Sequence, residues 1–358
     1  MKDDSMYGPF RIGNLTVKNR LVRSATFEFG ANDGRIGPKI TELYRSLAAG
    51  GCGLIVSGQF AVSAGGRIAP VMVDAGGEDF VSDLRALTGV VHDNGSLFFV
   101  QLSHGGYRVP GLPGYDQLAV SATTAADGRV LHEATAGEIG GIVAAFGRAA
   151  RQCKEGGADG VQIHAAHGYL ISTFLSPFFN RRTDDYGGPI GNRSRILMEA
   201  YDEVRRGVGP DYPVSVKINF GDGVSPSITA GECLQVCQRL DERGIDMIEI
   251  SSGVSPDGSG TSFSPFAREK AEGHFLDGAA MVAKAVKAPV VSVCGYRTPA
   301  FIERTLATTP VAAVSLCRPL IREPDLPNRW KTDRGEAACL SCNKCFKPTA
   351  GIVACGAL

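Results

Sequence analysis

His164, His167 and Tyr169 crowd three reactive side chains into six residues, and the run that carries them is Ile163-His164-Ala165-Ala166-His167-Gly168-Tyr169-Leu170. Two imidazoles three apart can hold one oxygen atom from two directions. A phenol, with an ordinary pKa of about 10, carries its proton at neutral pH and can deliver it. Together they are equipment for polarising a carbonyl and protonating the carbon beside it. A zinc site is the competing use of such a pair. The spacing is not that of a helical His-Glu-x-x-His motif, however, and the run supplies no third ligand.

Other residues could support that chemistry. Lys217 lies in the middle of an apolar run, where a buried ammonium needs an opposite charge or an electron-rich partner. Gln101, in Gln101-Leu102-Ser103-His104-Gly105-Gly106, offers an amide that both donates and accepts, suited to a heterocycle edge. Gly295-Tyr296-Arg297 and Cys317-Arg318 each follow a short apolar run and have the makings of a phosphate cradle, with backbone N–H groups and guanidinium forks.

These residues share a position relative to a recurring unit. Apolar, β-branched runs at 20–25, 53–58, 96–102, 160–164, 214–219, 246–251, 289–294 and 312–316 alternate with helical stretches such as 78–93, 137–154 and 231–243. The runs are nearly continuous in apolar character, as parallel strands covered on both faces should be. Thr135-x-x-Glu138 and Thr229-x-x-Glu232 are capping boxes, and glycines at 50–51, 156–157 and 244 close helices before the next strand. Eight such units predict an α/β fold, a (β/α)8 TIM barrel over residues 1–332 with a short Cys-rich extension at 333–358. A doubly wound sheet would want a glycine-rich fingerprint after its first strand, and residues 19–29 hold none. In a barrel the strand ends carry the chemistry. Ser24, Thr26, Gly58, Gln101, His164, His167, Lys217, Gly253, Gly295 and Cys317 all fall at or near such ends.

Composition narrows the class. The chain has 358 residues, 44% hydrophobic and 21% charged, with 37 basic and 37 acidic side chains and so zero net charge. Without a basic block, neither nucleic acid nor an anionic membrane is an expected partner. No apolar run reaches membrane-spanning length and Met1-Lys2-Asp3-Asp4 opens no leader, so a cytoplasmic protein is expected. A homo-oligomer is compatible with all of this.

The chain resembles the Old Yellow Enzyme family of flavin-dependent ene-reductases, from about Pro9 to Trp330. The likeness rests on Asn19-Arg20, Ser24-Ala25-Thr26, Gln101-Leu102-x-His104-Gly105-Gly106, His164-x-x-His167-Gly168-Tyr169-Leu170, Phe174-Leu175-Ser176-Pro177, Asp184-x-Tyr186-Gly187-Gly188, Asn192-Arg193, Gly295 and Arg318-Pro319-Leu320-Ile321. The resemblance implies FMN across the barrel mouth and NAD(P)H as reductant. Ser24, Ala25 and Thr26 would line the ring, Gly58 and Gln101 its polar edge, and Lys217 the N1 side. Gly253, Gly295, Arg297, Cys317 and Arg318 would hold the phosphate. His164 and His167 would bind the oxygen of an enone-type small molecule, and Tyr169 would protonate it. Phe27, Lys217 and Tyr107 depart from residues common in relatives. An amine dehydrogenase-like oxidative demethylase and a zinc-dependent barrel hydrolase are the rival activities. The demethylating relative carries tyrosine where this chain has His164.

Ten cysteines are many for a reducing compartment. Cys52, Cys153, Cys233, Cys237, Cys294 and Cys317 lie in apolar segments, as small buried hydrophobes do. Cys339-x-x-Cys342-x-x-Cys345, with Cys355 beyond, has metal-ligand spacing and resembles the iron–sulfur segment of 2,4-dienoyl-CoA reductases. Its last interval is shorter than in those relatives. A [4Fe–4S] cluster, zinc and no metal all remain open. A cluster would bring in a separate electron-donor protein.

Overall fold

The eight apolar runs become the eight strands of a closed parallel barrel in a computed structural model that describes residues 5–255, 272–346 and 351–357. The strands are β1 (Leu21–Arg23), β2 (Leu54–Ala61), β3 (Leu97–Ser103), β4 (Gly160–Ala165), β5 (Val214–Asn219), β6 (Met247–Ser251), β7 (Val290–Val293) and β8 (Ala313–Leu316). Each neighbours the next in chain order, and β8 pairs back onto β1. The matching helices are α1 (Pro38–Ala49), α2 (Phe80–Asp93), α3 (Ala136–Glu155), α4 (Arg195–Val208), α5 (Ala230–Glu242), α6 (Leu276–Ala283), α7 (Pro299–Thr308) and α8 (Arg318–Arg322). No helix among the described residues is long and apolar enough to cross a membrane. Met1 to Asp4, read above for a leader, lie outside the described residues.

Local chemistry sets the helix ends. Both capping boxes form: the Thr135 and Thr229 hydroxyls accept from the Glu138 and Glu232 N–H groups at 3.2 Å, and each glutamate accepts from its threonine's N–H in return. The α3 and α4 helices approach closely at glycines, since a Cβ on Gly207 would lie 2.8 Å from the Gly147 carbonyl oxygen. The Arg181–Gly188 stretch is mainly architectural. Arg182 donates to the Val120 and Ala134 carbonyls at 3.0 and 2.7 Å, tying the small sheet over the mouth to the loop after β4.

The barrel interior changes character along its axis. At the bottom Val22, Leu54, Val56, Phe99, Met247, Val291 and Ala313 form one apolar cluster, plugged by an N-terminal hairpin of Phe10–Ile12 and Leu15–Val17. Above it the inward positions turn polar: Ser24, Gln101, Gln162, Lys217, Glu249 and Ser315. β2 runs three residues beyond its expected end, past an irregularity where its register against β3 shifts between Val56 and Gln59. The extra residue turns Gln59 inward beside its partner Gln101.

Candidate functional site at the barrel mouth

A cavity of about 660 Å³ opens at the C-terminal ends of the strands. Of the residues singled out in the sequence, Ser24, Ala25, Thr26, Gln101, His164, His167, Tyr169, Lys217, Gly295, Arg297, Cys317 and Arg318 all line it. Two glycines do not. The Gly58 N–H donates to the Glu28 carboxylate at 2.7 Å, and a Cβ there would overlap that carboxylate, so Gln59 takes the lining position instead. The Gly253 N–H donates to the Gly221 carbonyl at 2.8 Å, and its own carbonyl accepts from Asn219 Nδ2 at 3.1 Å. Both glycine N–H groups are engaged within the protein rather than turned to the cavity.

The histidines sit as a pair. Their ring centroids are 5.2 Å apart at 87°, and the Tyr169 ring lies 4.9 Å from that of His164. The Ala166 N–H donates to His164 Nδ1 at 3.3 Å, which places the ring proton on Nε2. His167 Nε2 meets Ser251 Oγ at 2.7 Å. Its backbone has φ +65°, a left-handed conformation rare outside glycine, and is held there by Asn219 Oδ1 on its N–H and Arg108 on its carbonyl, at 3.3 and 3.2 Å. Burial holds both imidazoles well below the ordinary histidine value, with the charges of Lys217 and Arg108 adding to it. Both are therefore neutral at pH 7. The Arg108 guanidinium stands 4.8 Å from the Tyr169 ring centroid.

The floor is an ion pair inside a hydrogen-bond network. Lys217, 3% exposed, and Glu249, 1% exposed, are register partners on β5 and β6, with Nζ and Oε1 3.4 Å apart. Lys217 Nζ also donates to Ser24 Oγ at 2.7 Å. Glu249 accepts from Ser24 Oγ, Ser315 Oγ and Gln162 Nε2 at 2.7, 2.6 and 3.1 Å, and Gln101 Nε2 donates to Gln162 Oε1 at 2.8 Å. Burial alone would raise the Glu249 carboxyl; Lys217 and the three donors outweigh it and leave the value below the ordinary one. Glu249, Gln162, Gln59 and Arg108 were not singled out from sequence. For Glu249 a signal was present: a lone carboxylate in Met247-Ile248-Glu249-Ile250 is as odd in an apolar strand as Lys217 is.

At the far end, Gly295 takes φ +89°, and a Cβ there would lie 2.9 Å from the His274 ring. Arg318 lines the cavity but also grips the tail, donating to Asn343 Oδ1 at 2.7 Å and the Ser341 carbonyl at 3.3 Å. Ser341, Asn343 and Phe346 complete the cavity wall. Behind them Cys339, Cys342, Cys345 and Cys355 line one hollow of about 130 Å³. The Ser341 N–H donates to Cys339 Sγ at 3.5 Å, and Arg322 approaches Cys355 Sγ at 3.6 Å. Burial raises the Cys339 thiol and pushes the Cys345 thiol up to about 11. Among the described residues, no three His, Cys, Asp or Glu side chains converge as a single metal ion requires, at the histidine pair or in the tail. A four-iron cluster spans a wider set of thiols than one ion does.

Comparison with known proteins gives a consistent picture. A family model described as NADH:flavin oxidoreductase / NADH oxidase matches residues 5–336. The chain is 32% identical, over 95% of its length, to a metal reductase of Desulforamulus reducens, and covers 51% of that protein. It is 33% identical, over 91% of its length, to an NADPH dehydrogenase of Bacillus subtilis, and covers 98% of it. A solved 2-naphthoyl-CoA reductase in complex with 2-naphthoyl-CoA superposes with a TM-score of 0.88 at 27% identity, over 96% of this chain and 54% of that one. The chain thus spans about half the length of some curated relatives and nearly all of others.

Proposed function

The chain belongs to the NADH:flavin oxidoreductase / NADH oxidase family, that of Old Yellow Enzyme, and from that premise we propose that it is an FMN-dependent oxidoreductase reducing the C=C bond of α,β-unsaturated carbonyl compounds, with NAD(P)H as reductant. The observation that carries the reading is the pair of neutral imidazoles and the phenol on one wall of the cavity. The residues fit the cofactor. Gln59 Oε1 is buried in the cavity wall and meets no donor among the described residues, as an acceptor reserved for a heterocycle N–H would. Gln101 and Lys217 would share that polar edge, Ser24, Ala25 and Thr26 would lie against the ring, and Gly295, Arg297, Cys317 and Arg318 would hold the phosphate. Bound there, FMN supplies the hydride.

The chain's own residues do the rest. His164 donates from Nε2 to the substrate's carbonyl oxygen, and His167 is the second donor. Negative charge grows on that oxygen as the β carbon is reduced, so these bonds strengthen toward the transition state; losing one such donor costs roughly 3 kcal/mol. Tyr169 holds a proton at its hydroxyl and gives it to the α carbon. The Arg108 guanidinium packs over its ring and helps hold the phenol in place. The floor network excludes water from beneath the ring.

We also propose that Cys339, Cys342, Cys345 and Cys355 hold a [4Fe–4S] cluster, which their common hollow and the N–H donor to Cys339 Sγ support. It would accept electrons from a separate donor protein. The oxidative demethylase reading draws no support, since its relative lacks a histidine at position 164. A zinc hydrolase would need a third ligand beside the pair, and the described residues hold none there.

Visible absorption tests the whole. Purified protein should be yellow, bleach under anaerobic NAD(P)H and regain colour on adding an enone, with iron and sulfide in equal amounts if the tail holds its cluster. A colourless protein, or a reduced flavin that no enone reoxidises, overturns the ene-reductase reading. A yellow, active protein without iron overturns the cluster alone.

A further inference from the structure

Glu28 lies in Thr26-Phe27-Glu28-Phe29, a carboxylate between two aromatic residues, and it touches nothing in the cavity itself. It is 2% exposed. Its carboxylate accepts from the Gly58 N–H at 2.7 Å and from the Tyr44 hydroxyl of α1, and that hydroxyl oxygen in turn lies 2.8 Å from the Gly58 nitrogen. Gly58 is the point where β2 departs from register, one residue before Gln59 enters the cavity wall. The Glu28 backbone carbonyl faces the other way and accepts from the N–H of Val353, two residues before Cys355, at 2.7 Å. Phe29 follows with φ +61°, a conformation that a bulky residue adopts only when its surroundings hold it there. Those surroundings are Leu43 and Ile321 from the barrel and Cys345, Phe346 and Val353 from the tail, so the tail packs against the strained turn, and Phe27 and Phe29 line the cavity on its other side.

We propose that Glu28 is a positioning residue that joins the cysteine tail to the cofactor cavity: its carboxylate fixes the β2 irregularity and so the reach of Gln59, while its carbonyl anchors the tail at Val353. The inference rests on reading the cavity as the FMN site. A change in how the tail is seated moves the Glu28 carbonyl, and with it the carboxylate that holds Gly58. The β1 loop between them, 24–29, also supplies the lining residues Ser24, Ala25, Thr26, Phe27 and Phe29, so the same shift reaches one whole wall of the cavity.

Full-length Glu28→Ala and Glu28→Gln, with Tyr44→Phe as a milder probe, test this by amide hydrogen exchange and by FMN affinity read from fluorescence quenching. Glu28→Ala should speed exchange in two separated segments, around Gly58 and across 351–357, and weaken FMN by about tenfold, the size expected for losing a buried acceptor of a backbone donor. Glu28→Gln keeps an acceptor for Gly58 and should recover affinity to within about threefold. Should Glu28→Ala not fold, Tyr44→Phe should loosen the same two segments to a smaller degree. Faster exchange around Gly58 with 351–357 unchanged, or uniform acceleration over the whole barrel, overturns the coupling. If the parent protein binds no FMN, the reading of the cavity fails by itself, and the exchange pattern still decides whether Glu28 joins the two segments.

Discussion

Replacing Lys217 by methionine probes the floor of the site. The substitution keeps the length of the side chain and removes its charge, leaving Glu249 buried at 1% exposure with three neutral donors and no cation. Removing one partner of a buried pair costs about 3–5 kcal/mol. Because Ser24, Ser315 and Gln162 continue to serve the carboxylate, the lower figure applies, about 3 kcal/mol. The sign of the pH dependence follows. In the parent the Glu249 carboxyl is held below its ordinary 4.5, so its contribution is present above that value and is lost as pH falls through the lowered one. In Lys217→Met the largest of the influences that lower the carboxyl is gone, so its value rises relative to the parent's while Ser24, Ser315 and Gln162 still donate to it. The folded variant therefore takes up its proton at a higher pH than the parent and gains less stability as pH rises. The gap between variant and parent therefore widens from acid to neutral pH.

Urea unfolding of flavin-free protein, followed by fluorescence at several pH values between 4.5 and 8.5, measures that gap. Lys217→Met combined with Glu249→Gln removes both charges and keeps a polar residue that can still use the Ser and Gln donors. It should recover most of the loss, giving a coupling of about 2 kcal/mol between the two sites. A Lys217→Met variant within about 1 kcal/mol of the parent at pH 8 would refute the reasoning, as would a double variant less stable than the single one.

Three further outcomes bear on the histidine and tyrosine wall. His164→Ala with His167→Ala should leave FMN bound while lowering reoxidation by an enone at least about 100-fold, and it should abolish the charge-transfer band of a bound phenol; loss of FMN itself would make the pair structural. Since both imidazoles are held well below the ordinary histidine value, the parent's enone step should show no histidine ionisation between about pH 6 and 8, which stopped-flow rates across that range will check. Tyr169→Phe should slow the enone half-reaction by about 100-fold or more while sparing flavin reduction by NAD(P)H, and equal slowing of both halves would reject it as proton donor.

The barrel was legible because its strands are short, mainly apolar runs recurring between helical stretches, so β4 and β5 were expected over 160–164 and 214–219 and are found at Gly160–Ala165 and Val214–Asn219. Where the pattern breaks, the reading stopped short. β2 was expected to end at Gly58, but the chain inserts an extra residue there and pairs onward to Ala61, a two-strand property that no single strand displays. Gly58 and Gly253 were expected at the cofactor for the same underlying reason. A glycine near a strand end says that backbone comes close to something, and only the fold says to what; here it is the Glu28 carboxylate and the Gly221 carbonyl. Lys217 was conspicuous alone, whereas its partner Glu249 is 32 residues away and is placed beside it by sheet register. The part played by Ser341 and Asn343 in the cavity wall was invisible, because it depends on a tail that folds back onto Arg318.

The charges in this site work as a set. A lone ammonium at the barrel floor would be too costly to bury, and a lone carboxylate equally so; paired in register they can stay ionised with little exposure to water. The cation then acts in two directions. Toward the ring of an FMN bound as proposed it would offer positive charge where the reduced flavin becomes anionic. Toward the wall it helps burial keep His164 and His167 unprotonated. That neutrality matters to rate. An imidazolium would bind any anion that entered, substrate or not. A neutral N–H gains most only as charge develops on the oxygen it faces, and selective gain of that kind is what lowers a barrier.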